Sequence, residues 1–219
     1  MGISVENATK IIKGKTILDS ISLELSSGRI YGLRGKNGSG KTMLLRLLCG
    51  LILPTTGNVC IDGLTLGKDM SFPKSVGALI ENPGFINGYS GARNLEILAS
   101  ISGRASVQDI HDIMRYFDLD PASKKRFKEY SLGMKQKLGI AAALMERPRL
   151  ILLDEPINAL DEASSEKVLS ILRERKDEGA LIVVASHDRD ELDFLADTIV
   201  EMRDGRISNF NPLGDSDEA

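Results

Sequence analysis

Residues 35–42 read Gly-Lys-Asn-Gly-Ser-Gly-Lys-Thr and match the phosphate-binding pattern Gly-x4-Gly-Lys-Ser/Thr in full. Glycines at these positions let successive backbone N–H groups curl around a phosphate, and a helix starting at the end of the loop adds partial positive charge. Gly35, Lys36, Asn37, Gly38, Ser39 and Gly40 would form the cradle. Lys41 would reach the β- and γ-phosphates, and the Thr42 hydroxyl would hold Mg²⁺. The chemistry on offer is the binding of a nucleoside triphosphate.

Three further groups follow apolar runs far away in the chain. Glu81 comes after Val76–Ile80, Asp154-Glu155 after Leu150–Leu153, and Ser186-His187 after Leu181–Ala185. Continuous apolar runs of this length are the pattern of parallel strands buried on both faces. Ligands of such sheets gather at the carboxyl ends of the strands, so these groups should converge on the loop. Asp154 is then suited to the Mg²⁺ shell beside Thr42, and Glu155 to an attacking water. His187 is placed to sense the γ-phosphate.

The elements that must position these groups follow from the pattern around them. Arg29–Arg34 reads as a strand feeding the loop, and Met43–Cys49 as an apolar helix closed by Gly50. Upstream, Ile21–Leu25 alternates with period two, and Asn58–Ile61 before Asp62-Gly63 reads as a strand of the same antiparallel layer. From about Ser90 to Leu144 the pattern turns helical, with one helix over 107–117 and another starting near Ser131. Asp161–Lys176 and Asp190–Ala196 read as helices, and Thr198–Met202 as a last strand before an Asp204-Gly205 turn. The expected class is α/β, a phosphate-loop core with an N-terminal antiparallel layer and an inserted helical subdomain. One domain covers 1–210, with its core in 1–87 and 145–210 and the helical part at about 88–144. Residues 211–219 read as an acidic, disordered tail.

With 42% hydrophobic and 27% charged residues, the composition is that of an ordinary globular protein. A net charge of −3 gives no support for a nucleic-acid partner. Cys49 and Cys60 lack metal-ligand spacing and read as buried thiols. The N-terminus lacks the layout of a signal peptide, and no run reaches the roughly 18 apolar residues of a bilayer span. The basic cluster Lys124-Lys125-Arg126 with Lys128 reads as a solvated face, with contact to acidic lipid or a partner as the second reading.

Together these motifs resemble the ATP-binding cassette family, the nucleotide-binding subunits of ABC transporters, over roughly residues 3–208. Gly35–Thr42 matches the Walker A motif, Leu150–Glu155 Walker B with its following glutamate, Asn158–Asp161 the D-loop, and His187 the switch histidine. Tyr130-Ser-Leu-Gly-Met-Lys-Gln136 stands where the Leu-Ser-Gly-Gly-Gln signature belongs, 24 residues before Asp154. The resemblance implies that two such chains pair head to tail, as a homo- or heterodimer. Ser131, Gly133 and Met134 of one chain would then face ATP held by the other, and Asp161 would lie at the contact. It also implies Mg²⁺-dependent ATP hydrolysis, integral membrane permease partners, and a cytoplasmic position against the membrane.

Three departures stand out. Leu132 and Met134 replace the first Gly and the Gln of the signature. Glu81 stands at the Q-loop glutamine, where a carboxylate would serve as a further Mg²⁺ ligand. Ile12 occupies the position of the aromatic that stacks on adenine. The stretches Ile80–Phe85 and Ser131–Gln136 are similar to the bacitracin and lantibiotic exporter branch. The leading expectation is an ATPase subunit powering a separate permease for export, with Phe85, Ile86 and Tyr89 forming either a groove for a permease helix or part of the subdomain core. The second is a soluble, non-transport ABC protein acting in assembly or regulation.

Overall fold

The computed structural model describes residues 1–213. Its centre is a six-stranded sheet of order β10-β9-β3-β8-β7-β6. These strands are β3 (Arg29–Arg34), β6 (Val76–Leu79), β7 (Leu150–Asp154), β8 (Leu181–Ser186), β9 (Thr198–Arg203) and β10 (Arg206–Pro212). Only β9 and β10 pair antiparallel, through the Asp204-Gly205 turn; the other neighbours are parallel. A second, antiparallel sheet of order β2-β1-β4-β5 comprises β1 (Gly2–Ile12), β2 (Lys15–Ser26), β4 (Thr56–Ile61) and β5 (Leu64–Thr65).

The apolar runs are continuous because each central strand feeds two cores. Leu150 and Leu152 of β7 join Leu181 and Val183 of β8 in a core shared with the antiparallel sheet and α1 (Lys41–Leu48). Ile151 and Leu153, with Ile182 and Val184, face the opposite core and its helices. Alternate side chains of a strand point to opposite faces, so a strand covered on both sides must be apolar throughout.

The helical block consists of α2 (Gly91–Ser102), α3 (Val107–Tyr116) and α4 (Leu132–Leu144). Leu95, Ile110, Phe117 and Leu138 are packed in the same cluster as Leu79 and Ile151, so the block shares its core with the sheet. Serines set its helix starts. Ser90, Ser106 and Ser131 each accept the N–H of the residue three further on. Then follow α5 (Glu162–Asp177), capped by Asp161, and α6 (Arg189–Leu195), capped by Asp188.

The structure differs from the sequence reading in detail. The first two strands are longer than their alternation suggested, because bulges between Val5 and Ala8 and between Ala8 and Lys10 break the period of two. Strand β10 runs to Pro212, paired with Thr198, two residues past the boundary placed at 210. Residues 214–219 of the expected tail lie outside the described residues. Phe85 packs inward, edge-on against Phe127 at 5.1 Å, because that aromatic contact removes it from water; Ile86 and Tyr89 remain exposed. Cys49 is buried and Cys60 partly so, both as free thiols. Burial pushes the Cys49 thiol up to about 11.

Candidate active site

Strands β3, β8, β7 and β6 lie side by side and parallel, so their carboxyl ends form one edge. From it emerge the Gly-rich loop, Ser186-His187, Asp154-Glu155 and the turn bearing Glu81. The convergence expected from the sequence is there.

The loop leaves β3 at Gly35 and enters α1 at Gly40, whose φ of 108° lies in the left-handed region that favours glycine. Gly35 has no room for a side chain: a Cβ would come within 2.4 Å of the Met202 carbonyl oxygen and 2.6 Å of Ser39 Oγ. Lys41 is buried, and its Nζ donates to the Gly35 carbonyl at 2.7 Å, tying the two ends of the loop together. Ser39 Oγ is buried with no partner. A glycine-rich loop at a helix start, with an unpartnered hydroxyl and an ammonium, fits a phosphate.

Behind the loop the Thr42 hydroxyl donates to Asp154 Oδ2 at 2.7 Å. Burial raises the Asp154 carboxyl above the usual range. The Thr42 hydrogen bond lowers it, the Glu155 charge raises it, Lys41 lowers it, and Glu81 raises it. A buried carboxylate among other carboxylates is relieved by a cation, and hydroxyl and carboxylate are hard oxygen donors, so the pair fits Mg²⁺. Among the described residues no group of three or more His, Cys, Asp or Glu side chains could hold a metal. An ion here would draw its remaining ligands from phosphate oxygens and water.

Glu81, expected as a further metal ligand, is paired here with a cationic side chain. Its carboxylate is held by the Arg46 guanidinium at 2.7 Å and is more than half exposed. Arg46 sits one helical turn beyond Thr42 on α1, so the pair lies beside the Thr42–Asp154 contact rather than within it. The attraction of a guanidinium for a carboxylate explains that position.

Glu155 has a φ of 49°, and its N–H donates to the Ala185 carbonyl at 2.8 Å. Its Oε2 lies 2.8 Å from His187 Nδ1 and 3.5 Å from Ser186 Oγ. Gln136 of α4 donates to the Glu155 and Pro156 carbonyls at 3.1 and 2.9 Å, joining the helix of the signature segment to the turn that carries Glu155.

A cavity of about 760 Å³ is lined by Ile12, Lys13, Lys15, Ile17, Lys36–Met43, Asp154 and Glu155. Ile12 is exposed and contributes to this lining. Ser131, Gly133, Met134 and Asp161 do not line this cavity. Ser131 accepts the Met134 N–H at 3.2 Å, a Cβ on Gly133 would lie 3.1 Å from the Ala159 carbonyl, and Asp161 accepts the Ser164 N–H at 2.8 Å. The bond from Ser164 holds the Asp161 carboxyl low. These residues share a separate region, with Leu132 prominently exposed.

The sequence reading missed Arg46, the bridging role of Gln136, and Glu191. The last is buried on α6 and accepts the Ser186 hydroxyl at 2.6 Å. Its signal was an acidic residue four positions after His187, masked by Asp188 and Asp190, which serve or flank the helix cap.

The ABC transporter family model matches residues 18–158. The chain is 48% identical over 205 residues to the ABC transporter ATP-binding protein YybJ of Bacillus subtilis, with 94% of both chains covered. It is 39% identical over 207 residues to the bacitracin transport ATP-binding protein BcrA of Enterococcus faecalis, covering 94% of this chain and 67% of that one. Among solved structures, a dimeric ATP-binding cassette in a post-hydrolysis state with ADP and Pi superimposes with a TM-score of 0.88 at 25% identity, covering 97% of this chain and 99% of that one. The chain therefore belongs to the ABC transporter family, as one of its ATP-binding, ATP-hydrolysing cassettes.

Proposed function

We propose that this cassette works as half of a head-to-tail pair and powers a separate membrane permease that exports a peptide antibiotic or similar molecule. The observation that carries the pairing is a division within the chain. Lys41, Thr42, Asp154 and Glu155 meet in one cavity, while Ser131, Gly133, Met134 and Asp161 lie outside it. A site lacking its signature residues is completed by those of a second copy or a related subunit. The dimeric, ADP- and Pi-bound relative of the same fold supports this reading.

In the pair, the loop N–H groups and Lys41 bind the triphosphate, and Ile12 contacts the base. Thr42 and Asp154 hold Mg²⁺, which when bound neutralises charge on the phosphates. Glu155 accepts a proton from the attacking water, and His187 fixes the Glu155 carboxylate from its other side. The partner's signature supplies the helix start headed by Ser131, whose N–H groups favour the negative γ-phosphate. Lys41, poised on the Gly35 carbonyl, turns to the phosphate when nucleotide enters.

Export rests on the bacitracin and lantibiotic transport proteins among the relatives, BcrA and the 32% identical SrtF of Streptococcus pyogenes. Among the described residues no helix is long and apolar enough to cross a membrane, so transport needs separate spanning subunits. Exposed Phe72, Ile86 and Tyr89 suit contact with such a subunit on its cytoplasmic side. Glu155→Gln protein with ATP should double in mass on gel filtration and co-purify with membrane proteins, whereas Lys41→Ala should do neither. A Glu155→Gln protein that stays monomeric with ATP refutes the pairing. Recovery with soluble proteins alone refutes the permease and supports an assembly role.

A further inference from the structure

The Glu155–His187 pair is backed by a carboxyl group that the reaction above leaves unused. Glu191 sits in the first turn of α6 with only 8% of its surface exposed. Its Oε2 accepts the Ser186 hydroxyl at 2.6 Å, and its Oε1 is buried without a partner. Ser186 is wholly enclosed at the end of β8; its Oγ accepts the Asp188 N–H at 3.0 Å and stands 3.5 Å from Glu155 Oε2. With His187 Nδ1 at 2.8 Å from the same oxygen, the four side chains form one chain, Glu191–Ser186–Glu155–His187.

We propose that Glu191 is a positioning residue for hydrolysis, acting through the Ser186 hydroxyl to decide whether Glu155 is held by the serine or by His187 alone. The inference rests on the reading of Glu155 as the group that activates water. Its basis is that a serine hydroxyl has one proton to give and two lone pairs to receive. When Glu191 is ionised it takes that proton, and Ser186 has none left for Glu155. When Glu191 is neutral it can donate its own O–H to Ser186 Oγ. The serine still accepts the Asp188 N–H, and its proton is released toward Glu155 Oε2. The carboxylate then gains a donor that stabilises it and weakens it as a base. Ionised Glu191 does the reverse, because it withdraws the donor and adds negative charge behind Glu155.

Both states are accessible near neutrality. Burial pushes the Glu191 carboxyl up to about 7 against the lowering bond from Ser186. The charges of Glu155 and Asp188 raise it further, and His187 lowers it. On the adjoining β3, Arg34 is engaged by Asp193 and Glu201 and makes no ion pair with Glu191.

The test compares wild type, Glu191→Gln, Glu191→Asp and Ser186→Ala in kcat and KM for ATP from about pH 6 to 9, and follows the His187 imidazole resonances by NMR without nucleotide. His111 and His187 are the two histidines of the chain, so the assignment is direct. Wild-type kcat should rise about three- to tenfold through a limb near neutrality, with KM little changed. Glutamine keeps an N–H for Ser186 but cannot ionise, so that limb should vanish and kcat should stay at its low-pH level. Ser186→Ala should flatten the limb while leaving the buried carboxyl in place, and Glu191→Asp should restore part of it. The His187 imidazole resonances should move in Glu191→Gln, because the Glu155 carboxylate that the ring faces gains a second donor. A Glu191→Gln protein with the wild-type pH profile of kcat and unaltered His187 resonances overturns the proposal. If that variant does not fold, a full limb in Ser186→Ala overturns it equally. Wild-type hydrolysis by Glu155→Gln would instead sink the reading of Glu155, a separate failure.

Discussion

A buried carboxyl raised to about 7 makes the stability of the fold depend on pH, and Glu191→Gln should remove that dependence. In the unfolded chain the group returns to its ordinary value of 4.5. Between that value and about 7 the folded state holds the proton that the unfolded state has lost, so folding is favoured by acid in this window. The contribution is fully present below the unfolded value and is lost as pH rises through about 7. The shift corresponds to about 3 kcal/mol in total, and about 2 kcal/mol of it falls between about pH 5.5 and 8.5. Glutamine fills the same space and can still donate to Ser186, but it does not titrate. Urea unfolding of both proteins at the two pH values, without nucleotide, checks this. Wild type should lose about 2 kcal/mol more than Glu191→Gln on going from the lower to the higher pH. Other groups titrate in both proteins and cancel in the difference. Equal losses in the two proteins would show that Glu191 is ionised throughout and refute the reasoning.

Other perturbations act closer to the phosphates. Gly35→Ala drives a methyl group into the backbone carbonyl of Met202 on β9 and into Ser39. It should lower nucleotide affinity at least about tenfold by calorimetry, since the strand cannot retreat and the loop must. Gln136→Ala deletes the bonds to the Glu155 and Pro156 carbonyls. It should cost about 1–3 kcal/mol in urea unfolding and reduce kcat more than it raises KM. Glu81→Gln breaks an ion pair with Arg46 that is open to solvent, so stability should change by less than about 1 kcal/mol. It also removes a negative charge felt by Asp154, so the Mg²⁺ concentration for half-maximal ATPase should move; identical Mg²⁺ curves would remove Glu81 from any role at the ion.

The sequence alone determined the chemistry and the class of fold. Gly35–Thr42 is legible because a loop that wraps phosphate needs glycines at set spacings, whatever surrounds it. Leu150–Leu153 and Leu181–Ala185 are legible because strands covered on both faces must be apolar at every position. The helix starts at Ser90, Ser106, Ser131 and Asp161 could be read because capping is local, reaching only three residues along the chain. What the tertiary structure decided involves partners far apart in sequence. Strand order brought Glu155, Ser186 and His187 to one edge, and α6 folded Glu191 under Ser186. Arg46 paired with Glu81 because two surfaces met, a fact absent from either segment. Bulges in β1 erased the alternation that would have revealed its length. Local geometry is written in neighbouring residues; the balance of charge and hydrogen bonds in the site is set by groups that meet only when the chain has folded.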